Sequence, residues 1–139
     1  GPTISTFGGN PISVAAAKAT LEVMDQVDIA ARSKRLGDRL RAGLEALQKQ
    51  YPASIGEVRG LGLMQAIELV VDETRRDRTP DAALTTRIFE ASKERGLLIG
   101  KGGLYGNVFR IAPPMLIQED QLDHGLKMLG EALAVAGAR

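Results

Sequence analysis

Two short stretches carry side chains able to hold an anion. The first is Thr3 to Pro11, TISTFGGNP, directly ahead of the run ISVAAAKATLEVM. A helix opening at Pro11 would offer backbone N–H donors and the positive end of its dipole to a phosphate or carboxylate. Ser5 and Thr6 would add hydroxyl donors. It is not a P-loop, because no Gly-Lys-Ser/Thr follows. Asn10 as N-cap and Pro11 at the first helical position account for the same residues as an ordinary helix start. From spacing alone, that plainer reading has the better claim.

The second stretch is NVFRIAPPM, with Arg110 between Phe109 and Ile111. Strand alternation puts Arg110 on the face opposite both neighbours. A guanidinium in so apolar a strand demands an anionic partner, since burial without one is costly. An internal Asp or Glu would meet that demand, and so would a ligand. A third stretch, GKGGLYG, brings Lys101 and several backbone amides into a glycine-rich loop, a common form of strand connection. Among the six lysines, only Lys101 comes near a catalytic context, and no nucleophile–base pair emerges. His124 falls off the apolar stripe of the last helix and reads as a surface residue.

Composition closes several routes. The chain has no Cys and one His, which excludes disulfides, thiol catalysis and a histidine metal cluster. Lys and Arg number 18 against 17 Asp and Glu, so no polyelectrolyte surface for nucleic acid is expected. Aromatic residues at 4% also argue against base-stacking platforms. No apolar run is long enough to span a bilayer and no signal peptide is visible, so the expectation is a soluble cytoplasmic protein with no membrane partner. The 139 residues suit one domain with a modest core. The chain opens without an initiator Met, inside what reads as an element entered midway, and is expected to be a fragment of a longer protein.

The elements that must position these residues follow from periodicity. Val14, Ala17, Leu21 and Met24 repeat at helical spacing, and Asp25 to Asp28 bends or breaks the run. A second helix carries Ile29, Leu36, Leu40, Leu44 and Leu47 on one stripe. Arg32, Arg35, Arg39, Arg41 and Lys49 form its opposite, solvated face. Two strands are expected at about 56–59 and 63–71, around Gly60 to Gly62, with Gln65 and Glu68 as the unburied exceptions. The stretch DETRRDRTPD reads as a charged loop, and Thr79-Pro80 as the start of a helix with Leu84, Ile88 and Ala91 inward. Short strands are expected at 97–99 and 108–112. A last helix opens near Glu119 and Asp120 with Leu122, Leu126, Leu129 and Leu133 inward. Helices covering a small, mostly antiparallel sheet make an α/β (α+β) unit.

Four segments in this order, STFGGNPISVAAAKATLEV, EVRGLGLMQAIELV, GLLIGKGG and VFRIAPPM, resemble the C-terminal part of class III pyridoxal-phosphate-dependent aminotransferases of the alanine–glyoxylate kind. The resemblance runs over nearly the whole chain. It implies the C-terminal segment of a fold-type I transferase, with residues 1–27 ending the large cofactor-binding domain and 28–139 forming the small domain. By the same resemblance Thr6 would hydrogen-bond the cofactor phosphate across a homodimer interface, with Ser5 and Phe7 lining that region. Arg110 would bind the substrate carboxylate through a bidentate contact. The lysine that bonds the cofactor, and the Asp that pairs with its ring nitrogen, would lie upstream of Gly1, so this chain alone is expected to be inactive. The implied reaction moves an amino group from an amino acid to a 2-oxo acid of the pyruvate or glyoxylate type. Two other readings are a stand-alone interaction domain derived from the fold, and an aminomutase or decarboxylase relative.

Overall fold

A computed structural model of the chain describes residue 6 and residues 8–139. The chain divides into two compact units, one ending at Arg32 and the other comprising Ser33–Arg139. In the first unit, helix α1 spans Pro11–Gln26. Asn10 is its N-cap, with Oδ1 accepting from the N–H groups of Ile12 (2.9 Å) and Ser13 (3.4 Å). Pro11 follows at the first helical position, where its missing N–H costs nothing. The expected apolar stripe is present but exposed, and no residue of α1 is buried. The helix closes at Val27, and Asp28 turns the chain with φ of 44°.

Helix α2 (Ile29–Gln50) continues into the second unit, where Leu36, Leu40 and Leu44 are buried as the stripe predicts. Strands β1 (Ile55–Leu61) and β2 (Met64–Asp72) form an antiparallel hairpin. The segment expected to be a plain charged loop instead holds a single 3-10 turn, Glu73–Arg75, and a strand, β3 (Asp77–Pro80), that pairs with β2. Pro80 therefore ends a strand instead of opening a helix. Helix α3 (Ala82–Glu94) starts two residues later, with the Asp81 carboxylate between them accepting from the Leu84 N–H at 2.8 Å. Strand β4 (Gly100–Gly102) lies after the expected 97–99, and β5 (Val108–Ile111) falls where the alternation puts it. Helix α4 (Glu119–Val135) closes the unit. Its cap, Gln118, has its own N–H held by Gln121 Oε1 at 3.0 Å, which serves where a Ser or Thr is more usual.

All strand pairs are antiparallel, in the order β1-β2-β5-β4 with β3 also on β2. One sheet face carries Val58, Ile67 and Phe109 into a single core with Leu36, Leu40 and Leu44 of α2, Ile88 of α3, and Leu129 and Leu133 of α4. Gln65 lies on this inner face and is buried, contrary to the expectation that it would be exposed. Its Nε2 donates to the Gly62 carbonyl at 2.7 Å, and its Oε1 has no partner among the described residues. The hairpin tip packs on α2 so closely that a Cβ built at Gly37 would fall within the Gly62 backbone. Gly62 itself has φ of 53°, a conformation that favours glycine.

Arg35 and Arg39 do more than face solvent. Arg35 pairs with Glu119, and Arg39 grips Asp123 through Nε–Oδ1 (2.8 Å) and Nη2–Oδ2 (2.6 Å), tying α2 to α4. Among the described residues no helix is long and apolar enough to cross a membrane.

Candidate substrate-carboxylate site

Strand register places Arg110. Across β2 it faces Ala66, and across β4 it faces Gly100. One row further along, Val108 lies between Glu68 and Gly102. This is the sheet face opposite the core, and Arg110 is exposed on it. Its direct cross-strand neighbours contribute only a methyl group and a hydrogen.

The anions nearest in register are already committed. Arg59, on β1 and opposite Ala66, sits between Glu57 and Glu68, with its Nη1 at 2.7 Å from Glu57 Oε2 and at 2.7 Å from Glu68 Oε2. The hydrogen bond to Glu68 is the largest cause holding the Arg59 guanidinium above the ordinary arginine value, and burial opposes it. Arg110 makes no ion pair or hydrogen bond through its guanidinium among the described residues. Of the two partners the sequence allowed, an internal carboxylate is thus absent.

Arg110 also lines an open cleft of about 640 Å³ between the ends of β4 and β5 and helices α2 and α4. Leu98, Ile111, Pro113 and Leu126 are typical of its walls, and Arg110 is the single charged residue among those that line it. Lys101 does not join Arg110. It pairs in register with Phe109, on the other face, where its Nζ donates to Thr86 Oγ1 at 3.0 Å and lies 5.9 Å from the Phe89 ring centroid. His124 is exposed on α4.

In the first unit, Thr6 sits in a turn, exposed, and its hydroxyl has no partner among the described residues. Ser5 and Phe7 lie outside the described residues. The Asn10 cap already occupies the Ile12 and Ser13 amides. A phosphate bound near this turn would therefore draw on the Thr6 hydroxyl and not on those two helix donors. A hydroxyl donor of that kind suits a phosphate oxygen, so the residue present fits the expected group.

The family model for class-III aminotransferases matches residues 1–133. The chain belongs to the class III aminotransferases. It is 43% identical over 129 residues to the 5-aminovalerate aminotransferase DavT of Pseudomonas putida, a match covering 93% of this chain and 29% of that one. To the mitochondrial alanine–glyoxylate aminotransferase 2 homolog 2 of Arabidopsis thaliana it is 43% identical over 119 residues, covering 86% and 24%. A phospholyase from Arthrobacter, solved with phosphoethanolamine, superposes with a TM-score of 0.86 at 37% identity, covering 95% of this chain and 31% of that one. The chain thus spans less than a third of the length of these relatives. The α/β architecture with its antiparallel sheet is that of a fold-type I aminotransferase segment, as the class III motifs implied. Membership in this family implies dependence on pyridoxal phosphate.

Proposed function

We propose that this chain is the C-terminal segment of a pyridoxal-phosphate-dependent aminotransferase, and that Arg110 receives the carboxylate of its amino acid and oxo acid substrates. The observation that carries this is the uncommitted, exposed guanidinium of Arg110 beside Ala66 and Gly100, with Glu57 and Glu68 both taken by Arg59. When bound, pyridoxal phosphate supplies the electron sink that makes the bond next to the amino group breakable. Arg110 fixes the substrate's acid end by charge-assisted hydrogen bonds, which sets where its amino end lies. Thr6 donates its hydroxyl to the cofactor phosphate, and that site is shared between the subunits of a homodimer. Residues 1–27 would close the large domain and 28–139 form the small one. The lysine that bonds the cofactor is supplied from outside this chain, which alone would not turn over.

The acceptor is an oxo acid of the pyruvate or glyoxylate type, supported by the name of the alanine–glyoxylate relative. The name of DavT supports a second reading of the donor, an ω-amino acid whose amine is distant from its carboxylate. The likeness to a phospholyase supports a second reading of the reaction, in which the same segment serves lyase chemistry.

The test is substitution of Arg110 in the full-length enzyme. Arg110→Ala is expected to raise KM for carboxylate-bearing donors by about ten- to hundredfold, with cofactor affinity unchanged. Equal kinetics in variant and wild type would remove Arg110 from the site.

A further inference from the structure

We propose that Gly102 is a specificity-determining position, one that leaves the Nε edge of the Arg110 guanidinium open so that a substrate carboxylate can dock side-on. The inference rests on the assignment of Arg110 as the carboxylate anchor.

Gly102 faces Val108 in the β4–β5 ladder, one row beyond the pair Gly100–Arg110. The Arg110 side chain leans across that row. A Cβ built at Gly102 would have one neighbour within 4 Å, the Nε of Arg110, at 3.8 Å. Sequence neighbours aside, no other atom of the described residues competes for the space. The backbone at Gly102 is not in the left-handed region either, as the positive-φ glycines are others. Neither conformation nor packing among the described residues therefore requires glycine here. Glycine is poorly suited to a strand on entropic grounds, so its use at such a position calls for another reason.

The neighbouring glycines set the contrast. A Cβ at Gly100 would meet the Arg110 carbonyl at 3.3 Å, a tight contact with the strand itself. Gly103 has φ of 86°, and a Cβ there would press on Val108 Cγ2 at 2.8 Å. Those two are glycine for structural reasons, and Gly102 is not.

A guanidinium binds a carboxylate in two ways, end-on through both Nη atoms or side-on through Nε and one Nη. Gly102 lies against the Nε edge, so its missing side chain keeps the side-on approach free. A branched side chain at 102 would cover that edge and leave only the end-on geometry. It would also stand where the substrate chain next to the carboxylate must pass. The position thus discriminates by the shape of the acid end, without touching the amine.

The experiment measures binding of valerate, a carboxylate with no amine, to the full-length holoenzyme by titration calorimetry. Wild type, Gly102→Ala, Gly102→Val, Arg110→Ala and the Arg110→Ala/Gly102→Val double variant are compared, together with KM and kcat for a carboxylate-bearing donor. Gly102→Val is expected to weaken valerate binding and raise KM about tenfold while kcat changes little, with Gly102→Ala intermediate. In the double variant the Gly102 effect should vanish, since the edge it blocks is gone. Thermal melts report folding, and if Gly102→Val melts early, Gly102→Ala with its single methyl carries the decision. Valerate affinity unchanged within twofold in both Gly102 variants, or full additivity in the double variant, would overturn the role of Gly102. Wild-type valerate binding by Arg110→Ala would instead overturn the anchor on which it rests.

Discussion

Arg59 on β1 donates across the hairpin to Glu68 on β2 at 2.7 Å, and that pairing leaves Arg110 without an internal carboxylate. Glu68 stands diagonally from Arg110, because Glu68 faces Val108 while Ala66 faces Arg110. Diagonal neighbours on one sheet face are about 7–8 Å apart at the backbone, within reach of long side chains. The Arg59 guanidinium thus holds Glu68 on its own side of the sheet, away from the proposed carboxylate anchor Arg110.

Removing Arg59 should therefore harm a site it does not touch. Arg59→Ala in the full-length enzyme is expected to raise KM for carboxylate donors about two- to fivefold, as Glu68 turns to Arg110. Adding Glu68→Gln should restore the wild-type value. A KM that ignores both substitutions would show that Glu68 does not compete.

The contact between Gly37 and Gly62 predicts an ordering of stabilities. A methyl at Gly37 meets backbone, which cannot move without lifting the hairpin tip off α2. Gly37→Ala is expected to cost about 2 kcal/mol or more. At Gly43 the atoms nearest an added Cβ belong to the Leu126 side chain, which can rotate, and helix propensity offsets part of the strain by about 1 kcal/mol. Urea midpoints of the two variants should therefore differ clearly, with Gly37→Ala the lower. The reverse order would mean the hairpin tip is not seated on α2.

The Arg39–Asp123 pair sets a pH signature. The hydrogen bond from Arg39 holds the Asp123 carboxyl below its ordinary range. A carboxylate whose folded pKa is depressed contributes stability above its unfolded value, about 3.9, and loses it as pH falls through the folded value. The melting-temperature gap between wild type and Asp123→Asn should be steady from neutral pH down to about 5 and then close under acid. The pair is solvent-exposed, so the gap should also shrink in high salt. A gap that widens with acid would contradict the pairing.

Thr6 and Asn10 should separate by what they hold. Thr6→Ala is expected to weaken pyridoxal phosphate binding about tenfold and leave pyridoxal, which has no phosphate, unchanged. Asn10→Ala removes a cap worth about 1 kcal/mol to α1 and should show in stability. Equal loss for both cofactor forms in Thr6→Ala would move the phosphate contact elsewhere.

Much of this was legible in residue order. The stripes Leu36-Leu40-Leu44 and Leu122-Leu129-Leu133 name the core faces of α2 and α4, because helical period alone decides which side chains share a face. Alternation in Val108 to Ile111 was enough to set Arg110 against Phe109. Charge content and loop residues misled at Asp77–Pro80, where pairing with β2 makes a strand of a segment with weak strand propensity. Gln65 was misread because polarity is a weak guide when register puts a residue on the inner face.

By itself the sequence determined that Asn10-Pro11 opens a helix and that the four motifs belong to one family. Those are matters of local chemistry, period and order along the chain. Only the tertiary structure decided which anions stay available to Arg110. Glu57, Glu68 and Arg59 meet through a hairpin register, and Gly100 and Gly102 flank Arg110 through a strand pairing that no local pattern encodes.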